Sequence, residues 1–342
     1  MKNYTLNSSR SAKMGKKSLI ISIIIFLIFL GVFYYFYFVW YSLFYYPKGG
    51  DQNVWPNLLN NPCDYKTKEV LVKKFTHQDK IFYLFIPKGV DLNSSPVIVF
   101  LHGLAPSPPI DYKMYSSLIF HEAKRGNIVI FPIYQKNLFS PFWPRDFPSS
   151  AKKILKEAIL EIKKIAPENN FSQFIVIGSS MGGAVATNIF SEEIPLPKAI
   201  ILITPGETFP YLPTTIYGLP FGDLRNLDLE TWFVVLFSQS DRLVLREKVK
   251  KKLLQKTKGL NRHMFLIPSD AYGNPPLWSN HLSAFYPPSN LSYYGYRKII
   301  DATIDCALFN KNCDVVRGDN KEALEIGFWS DGRKMNQIKK IY

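Results

Sequence analysis

The run Gln173-Phe174-Ile175-Val176-Ile177-Gly178-Ser179-Ser180-Met181-Gly182-Gly183-Ala184-Val185-Ala186 changes character once, at Gly178. Before it, Phe174 to Ile177 is apolar and largely β-branched, which predicts a buried strand. After it, small residues from Met181 onward predict a helix packed closely on that strand. The five residues between, Gly178-Ser179-Ser180-Met181-Gly182, match Gly-x-Ser-x-Gly. The spacing has a physical reason. A serine on a sharp strand-to-helix turn has strained backbone angles and a hydroxyl lifted clear of the sheet. The residues two before and two after it crowd each other, so both must be small. That selects Ser180, because Ser179 would need a glycine at 177, where Ile177 stands. The bland alternative is a Gly/Ser turn in any α/β protein, so the flanking segments carry the decision.

Val70 to Phe75 and Lys80 to Ile86 alternate and predict two strands joined at His77-Gln78-Asp79. Continuous apolar runs at Pro96–Phe100, Ile128–Ile133, Ala199–Ile203, Thr231–Phe237 and His263–Ile267 read as strands buried on both faces. Helices are expected over Asp111–Arg125, Ser149–Ile165, Leu245–Thr257 and Tyr293–Leu308. Ile154, Leu155, Ala158, Ile159 and Ile162 share a helical spacing. Strand and helix alternate from residue 96 onward, which demands a mainly parallel sheet with right-handed crossovers.

With the serine turn, the His102-Gly103-Leu104 that follows the strand at 96–100, and Asp241-Arg242-Leu243-Val244 after the strand at 231–237, the chain resembles the α/β-hydrolase superfamily over about residues 68–310. The resemblance implies an α/β-hydrolase fold, a mainly parallel sheet flanked by helices, and a triad in the order serine, acid, histidine. Ser180 is then the nucleophile. Asp241 is the acid, with Asp270 as runner-up. His281 is the base, since His77, His102 and His121 come too early and His263 opens a strand. The imidazole takes the serine proton, and the carboxylate fixes its tautomer. The amides of Met181 and Leu104 are the expected oxyanion donors, and His102 is expected to shape its loop. This chemistry requires no metal and no organic cofactor. The implied reaction is carboxylic ester hydrolysis. An acyltransferase using the same triad, a serine peptidase and a non-catalytic protein of the same fold are the alternatives.

Pro205 to Asp228 occupies the family's cap position and is too short for a large helical cap. It carries Phe209, Tyr217 and Phe221, while the Gln135–Pro148 loop carries Phe142, Trp143 and Arg145. Apolar side chains at that edge of the sheet predict an acyl site for an apolar or lipid-like ester, with Phe142, Trp143, Phe209, Tyr217 and Phe221 lining it. Arg145 could instead receive a carboxylate or phosphate.

Residues 1–17 are polar and basic, with Lys2, Arg10, Lys13, Lys16 and Lys17 and no acid before Asp51. Residues 18–46 carry no charge, are rich in Ile, Leu and Phe, and turn aromatic in their second half. Such a run is long enough to span a bilayer and has an interfacial aromatic belt. The basic flank predicts a cytoplasmic tail at 1–17, an uncleaved transmembrane anchor at 18–46, a linker at 47–67 and an extracytoplasmic catalytic domain at 68–342. The chain has 342 residues, 47% of them apolar, and a net charge of +15, yet no nucleic-acid motif. Cys63, Cys306 and Cys313 form neither a dense disulfide framework nor a zinc spacing. Cys306 and Cys313 are expected to pair if the domain lies outside the cell.

Overall fold

A computed structural model describes residues 20–34, 37, 54, 65–104, 111–135, 144–208, 214, 217–286 and 289–342. The chain divides into two compact units, Met1–Tyr45 and Tyr46–Tyr342. In the first, residues 20–34 form a helix, α1, whose Ile, Leu and Phe side chains are exposed. At 1.5 Å per residue those residues extend about 22 Å, short of the roughly 30 Å hydrocarbon core of a bilayer. Among the described residues no helix is long and apolar enough to cross a membrane. Most of the remainder of the expected 18–46 anchor lies outside the described residues.

The second unit is built on a nine-stranded sheet: β1 (Val70–His77), β2 (Lys80–Pro87), β3 (Val97–Leu101), β4 (Ile128–Ile133), β5 (Phe174–Ser179), β6 (Ala199–Ile203), β7 (Trp232–Ser238), β8 (Asn261–Ile267) and β9 (Lys339–Lys340). Their spatial order is β1-β2-β4-β3-β5-β6-β7-β8-β9. Strands β3 to β8 run parallel, whereas β2 is antiparallel to both β1 and β4. The central strands are fully buried because helices cover both faces, so their sequences run continuously apolar.

Helices α2 (Ser116–Lys124), α3 (Phe147–Ile165), α4 (Met181–Ala186), α5 (Arg246–Lys256) and α6 (Lys298–Phe309) flank the sheet. On α3, Ala151, Ile154, Leu155, Ala158 and Ile162 enter one core cluster with Val97, Val99, Val176 and Ile200. Each fully buried Ile or Leu contributes about 1.5–3 kcal/mol there. The lysines of α3 fall on its other side, as a 3.6-residue period requires.

Several boundaries differ from the sequence reading. The helix expected from Ser149 begins at Phe147, because Pro148 sits in its first turn, where no amide is needed. Residues Tyr112–Tyr115 are a 3-10 turn capped by Asp111, and α2 starts only at Ser116. The final helix is split into a π-helical stretch, Leu291–Arg297, and α6. The strand at 263–267 begins two residues earlier and is not the last, since β9 pairs with it antiparallel at Phe265 and Leu266. Helix α7 (Cys313–Arg317) was not foreseen. Parts of the expected 47–67 linker are docked, and the Thr67 amide donates to Lys124 O at 3.1 Å. Val54 is buried, and its carbonyl accepts from the Asn274 amide at 2.6 Å. The Tyr65 hydroxyl lies 3.1 Å from His121 Nδ1. Left-handed Asn310 and Asn312 turn the chain between α6 and α7, and a disulfide joins Cys306 to Cys313 with Cα atoms 4.9 Å apart. Cys63 lies outside the described residues.

Candidate active site

Ser180 stands between β5 and α4 with φ 52° and ψ −124°, backbone angles that L-residues seldom adopt. Three backbone hydrogen bonds hold it there. Its amide donates to Ile203 O at 3.0 Å, and its carbonyl accepts from Gly183 at 2.9 Å and Gly206 at 3.0 Å. Two glycines are forced by close approach. A Cβ on Gly178 would lie 2.5 Å from Gly182 O, and one on Gly182 would lie 2.1 Å from Leu101 O. The expected crowding across the serine is therefore present, and the end of β3 adds to it. Ser179 is buried at 1% exposure, whereas Ser180 is half-buried, so only Ser180 is open to an incoming group.

The loop after β3 abuts the serine. A Cβ on Gly103 would meet Ser180 Cβ at 3.1 Å. The Gly103 amide is engaged by the buried Tyr115 hydroxyl at 2.9 Å, so it is not an oxyanion donor. Among the described residues of this loop, the next amide is that of Leu104. Met181 opens α4, and the amide of a helix's first residue has no intrahelical acceptor. His102 is fully buried, stacks on Tyr134 at 4.0 Å, and holds Gly103 O at 2.7 Å through Nδ1. Burial pulls its pKa down to about 4, opposed by the bond to Gly103, so it stays neutral. It shapes the loop, as its position in the sequence suggested.

Asp241 and His281 meet at the same edge of the sheet. Asp241 Oδ2 lies 2.8 Å from His281 Nδ1, and the two side chains are only 5% and 6% exposed. Asp241 Oδ1 accepts from the amides of Leu243 at 2.8 Å and Val244 at 3.2 Å, so the carboxylate is aimed by its own turn. Thr204, at φ 44° just beyond β6, donates to the carbonyl of His281 at 3.2 Å. It follows Ile203, the residue that holds the Ser180 amide, and so links the histidine loop to the serine turn. Asp270, the runner-up acid, is occupied elsewhere: Oδ1 accepts from the Tyr272 amide at 3.1 Å and Oδ2 from the Asn336 amide at 2.9 Å.

The fold has counterparts among solved structures. Esterase B from Lactobacillus rhamnosis, in a structure with a C4-C4 tributyrin phosphonate, superposes with a TM-score of 0.51 at 15% identity, over 74% of this chain and 90% of that one. An esterase from Rhizomucor miehei superposes with a TM-score of 0.50 at 16% identity, over 75% and 87%. The fold is that of the α/β-hydrolases. The chain matches no protein-family model and no curated protein.

In this α/β-hydrolase fold the segment 205–228 joins β6 to β7 and is described at 205–208, 214 and 217–228. Of the side chains expected to line an acyl site, Phe142, Trp143 and Phe209 lie outside the described residues. Tyr217 is 8% exposed. Phe221 is 3% exposed and packs in the core cluster with Leu219 and Leu224. Glu207 clasps the segment: it pairs with Lys252 on α5, accepts from the Phe221 amide at 2.9 Å, and its carbonyl accepts from Leu219 at 2.8 Å.

Sequence reasoning missed a second polar cluster between α2 and α6. His121 Nε2 lies 2.9 Å from Asp301, while Arg125 lies 2.8 Å from Asp301 and 2.6 Å from Asp305. Burial, with Asp301 adding to it, pushes the Glu122 carboxyl well above the usual range. Burial also acts to raise Asp301, but His121 and Arg125 outweigh it and hold Asp301 low. His121, Glu122 and Asp301 are close enough to ligate a metal ion. Arg125 already supplies the cation there, and the arrangement reads as a clasp between two helices.

Proposed function

We propose that the chain is a serine hydrolase of carboxylic esters, acting through Ser180, His281 and Asp241. The observation that carries this is the 2.8 Å Asp241–His281 contact at the sheet edge where Ser180 takes its strained turn. Ser180 Oγ attacks the acyl carbonyl as His281 Nε2 removes its proton. Asp241, on Nδ1, fixes the tautomer and stabilises the imidazolium. The amides of Met181 and Leu104 receive the oxyanion. His281 then protonates the leaving alcohol, and water repeats the sequence on the acyl-enzyme. The two esterases of like fold support this reaction class. A fluorophosphonate probe tests it: the full chain should be labelled and the Ser180→Ala variant should not. Equal labelling of both would remove Ser180 from the mechanism.

The substrate we propose is an apolar or lipid-like ester. In the sequence Phe142 and Trp143 follow β4 and Phe209 and Tyr217 follow β6, segments whose apolar residues would supply an acyl site beside the serine turn. Phe221 is a poor probe of that role, because emptying its core position would destabilise the domain by about 3–5 kcal/mol. The informative variants are Trp143→Ala and Phe209→Ala, assayed on p-nitrophenyl acetate, octanoate and palmitate. Octanoate and palmitate turnover should fall about tenfold relative to acetate, the loss of a few buried methylenes. Activity confined to acetate in the parent chain, unaltered in both variants, would refute an acyl site here.

The anchor at 18–46, with 1–17 cytoplasmic and the catalytic domain outside, belongs to the same proposal. The one-sided basic flank and the Cys306–Cys313 disulfide both favour it. Protein alkylated at the moment of cell lysis should yield an unreduced Cys306–Cys313 peptide by mass spectrometry. Recovery of both thiols alkylated would put the domain in a reducing compartment.

A further inference from the structure

Three buried hydroxyls form a chain beneath the Asp241–His281 pair. Tyr296 is fully buried on the last turn of the π-helical stretch. Its hydroxyl lies 2.5 Å from Ser238 Oγ and 2.8 Å from Ser279 Oγ. Ser238 ends β7, and its carbonyl accepts from the Asp241 amide at 3.3 Å. Ser279 stands two residues before His281, and its carbonyl accepts from the Ser240 amide at 2.8 Å. The same two segments meet at Ser269, whose hydroxyl is 2.7 Å from Ser240 Oγ and accepts from the Ser279 amide at 2.9 Å. One phenol, carried by an element outside both segments, therefore bonds to the strand end that bears the acid and to the loop that bears the histidine.

We infer that Tyr296 is a positioning residue whose hydroxyl sets the spacing between the acid turn and the histidine loop, and so keeps His281 in register with Asp241. The inference rests on the triad reading. Each hydroxyl of this buried chain has a partner, and any displacement leaves one without in a low-dielectric interior, which disfavours other arrangements. Burial raises the Tyr296 phenol far above its ordinary range, against its bonds to the two serines, and the nearby Asp241 charge raises it further. It therefore remains a neutral donor while His281 cycles between its charge states. The π-helical turn shifts the register ahead of α6, a device often found at functional positions.

The test uses the full chain in detergent, with p-nitrophenyl octanoate kinetics and the downfield proton resonance of the His281–Asp241 hydrogen bond. That resonance is assigned by its absence from Asp241→Asn. Tyr296→Phe should lower kcat about 10- to 100-fold with KM within about twofold, the effect of a displacement of up to an ångström. The resonance should also shift and broaden. If Tyr296→Phe folds poorly, Ser238→Ala/Ser279→Ala/Tyr296→Phe leaves no hydroxyl unpaired and should fold while keeping the kcat loss. Parent kcat in either folded variant, or an unmoved resonance, overturns the inference. If the parent chain cleaves no ester, the proposed function fails. The resonance needs no turnover and still decides the role of Tyr296.

Discussion

With Ser180 replaced by alanine, ester turnover should fall by about 10³-fold or more while the fold is kept, as it should in His281→Ala and Asp241→Asn. Alanine keeps the Cβ at the strained position, so the backbone angles of 52° and −124° and the three hydrogen bonds that hold them are undisturbed. Asp241→Asn retains the acceptor that its turn amides need but leaves His281 Nδ1 facing a group that no longer fixes its tautomer. Asp270→Asn should stay within a fewfold of the parent, since that carboxylate holds loop amides at Tyr272 and Asn336. Loss in Asp270→Asn with near-normal Asp241→Asn would move the acid to Asp270. Ser180→Gly offers an independent reading. It should abolish turnover yet raise stability by about 1 kcal/mol, because glycine relieves the strain that serine stores there. A destabilised Ser180→Gly would mean that the turn is not strained.

Gly182→Ala should be among the most damaging single methyls at the serine turn. Its Cβ would lie 2.1 Å from Leu101 O and 2.5 Å from His102 O, both backbone atoms of the β3 end that cannot rotate away. Either α4 lifts off the sheet or β3 and the Leu104 loop shift. The expected destabilisation is about 3 kcal/mol or more, a fall of about 6 °C or more in Tm for a domain of this size. Turnover should be lost with it, since the serine and both proposed oxyanion amides ride on the displaced elements. Gly89→Ala is the comparison. It also places a side chain at positive φ, 73°, but in open space, so about 1 kcal/mol is expected. Equal melting of the two variants would show that the approach of α4 to β3 is not what requires glycine at 182.

The core of this reading was already present along the chain, because it rests on short-range rules. Apolar runs bounded by turns marked β3 to β7 to within a residue or two, and the 3.6-residue spacing marked α3. Glycine spacing around Ser180 stated a local steric demand, and the resemblance to the α/β-hydrolases pointed to Asp241 and His281 after their strands. What the sequence could not carry was any contact between polar groups far apart in the chain. Nothing local at Tyr115 points to the Gly103 amide, and nothing at Tyr296 points to Ser238 and Ser279. The His121–Asp301 clasp, the Glu207 hold on the 205–228 segment and the pairing of β9 with β8 are of the same kind. Hydrophobic periodicity and backbone strain are properties of neighbouring residues, so the sequence by itself determined the strands and the serine turn, and its resemblance to the α/β-hydrolases supplied the candidate triad. A buried hydroxyl or carboxylate takes its partner from whatever the packed helices and strand ends bring within 3 Å, and the tertiary structure alone decided which groups hold that triad in place.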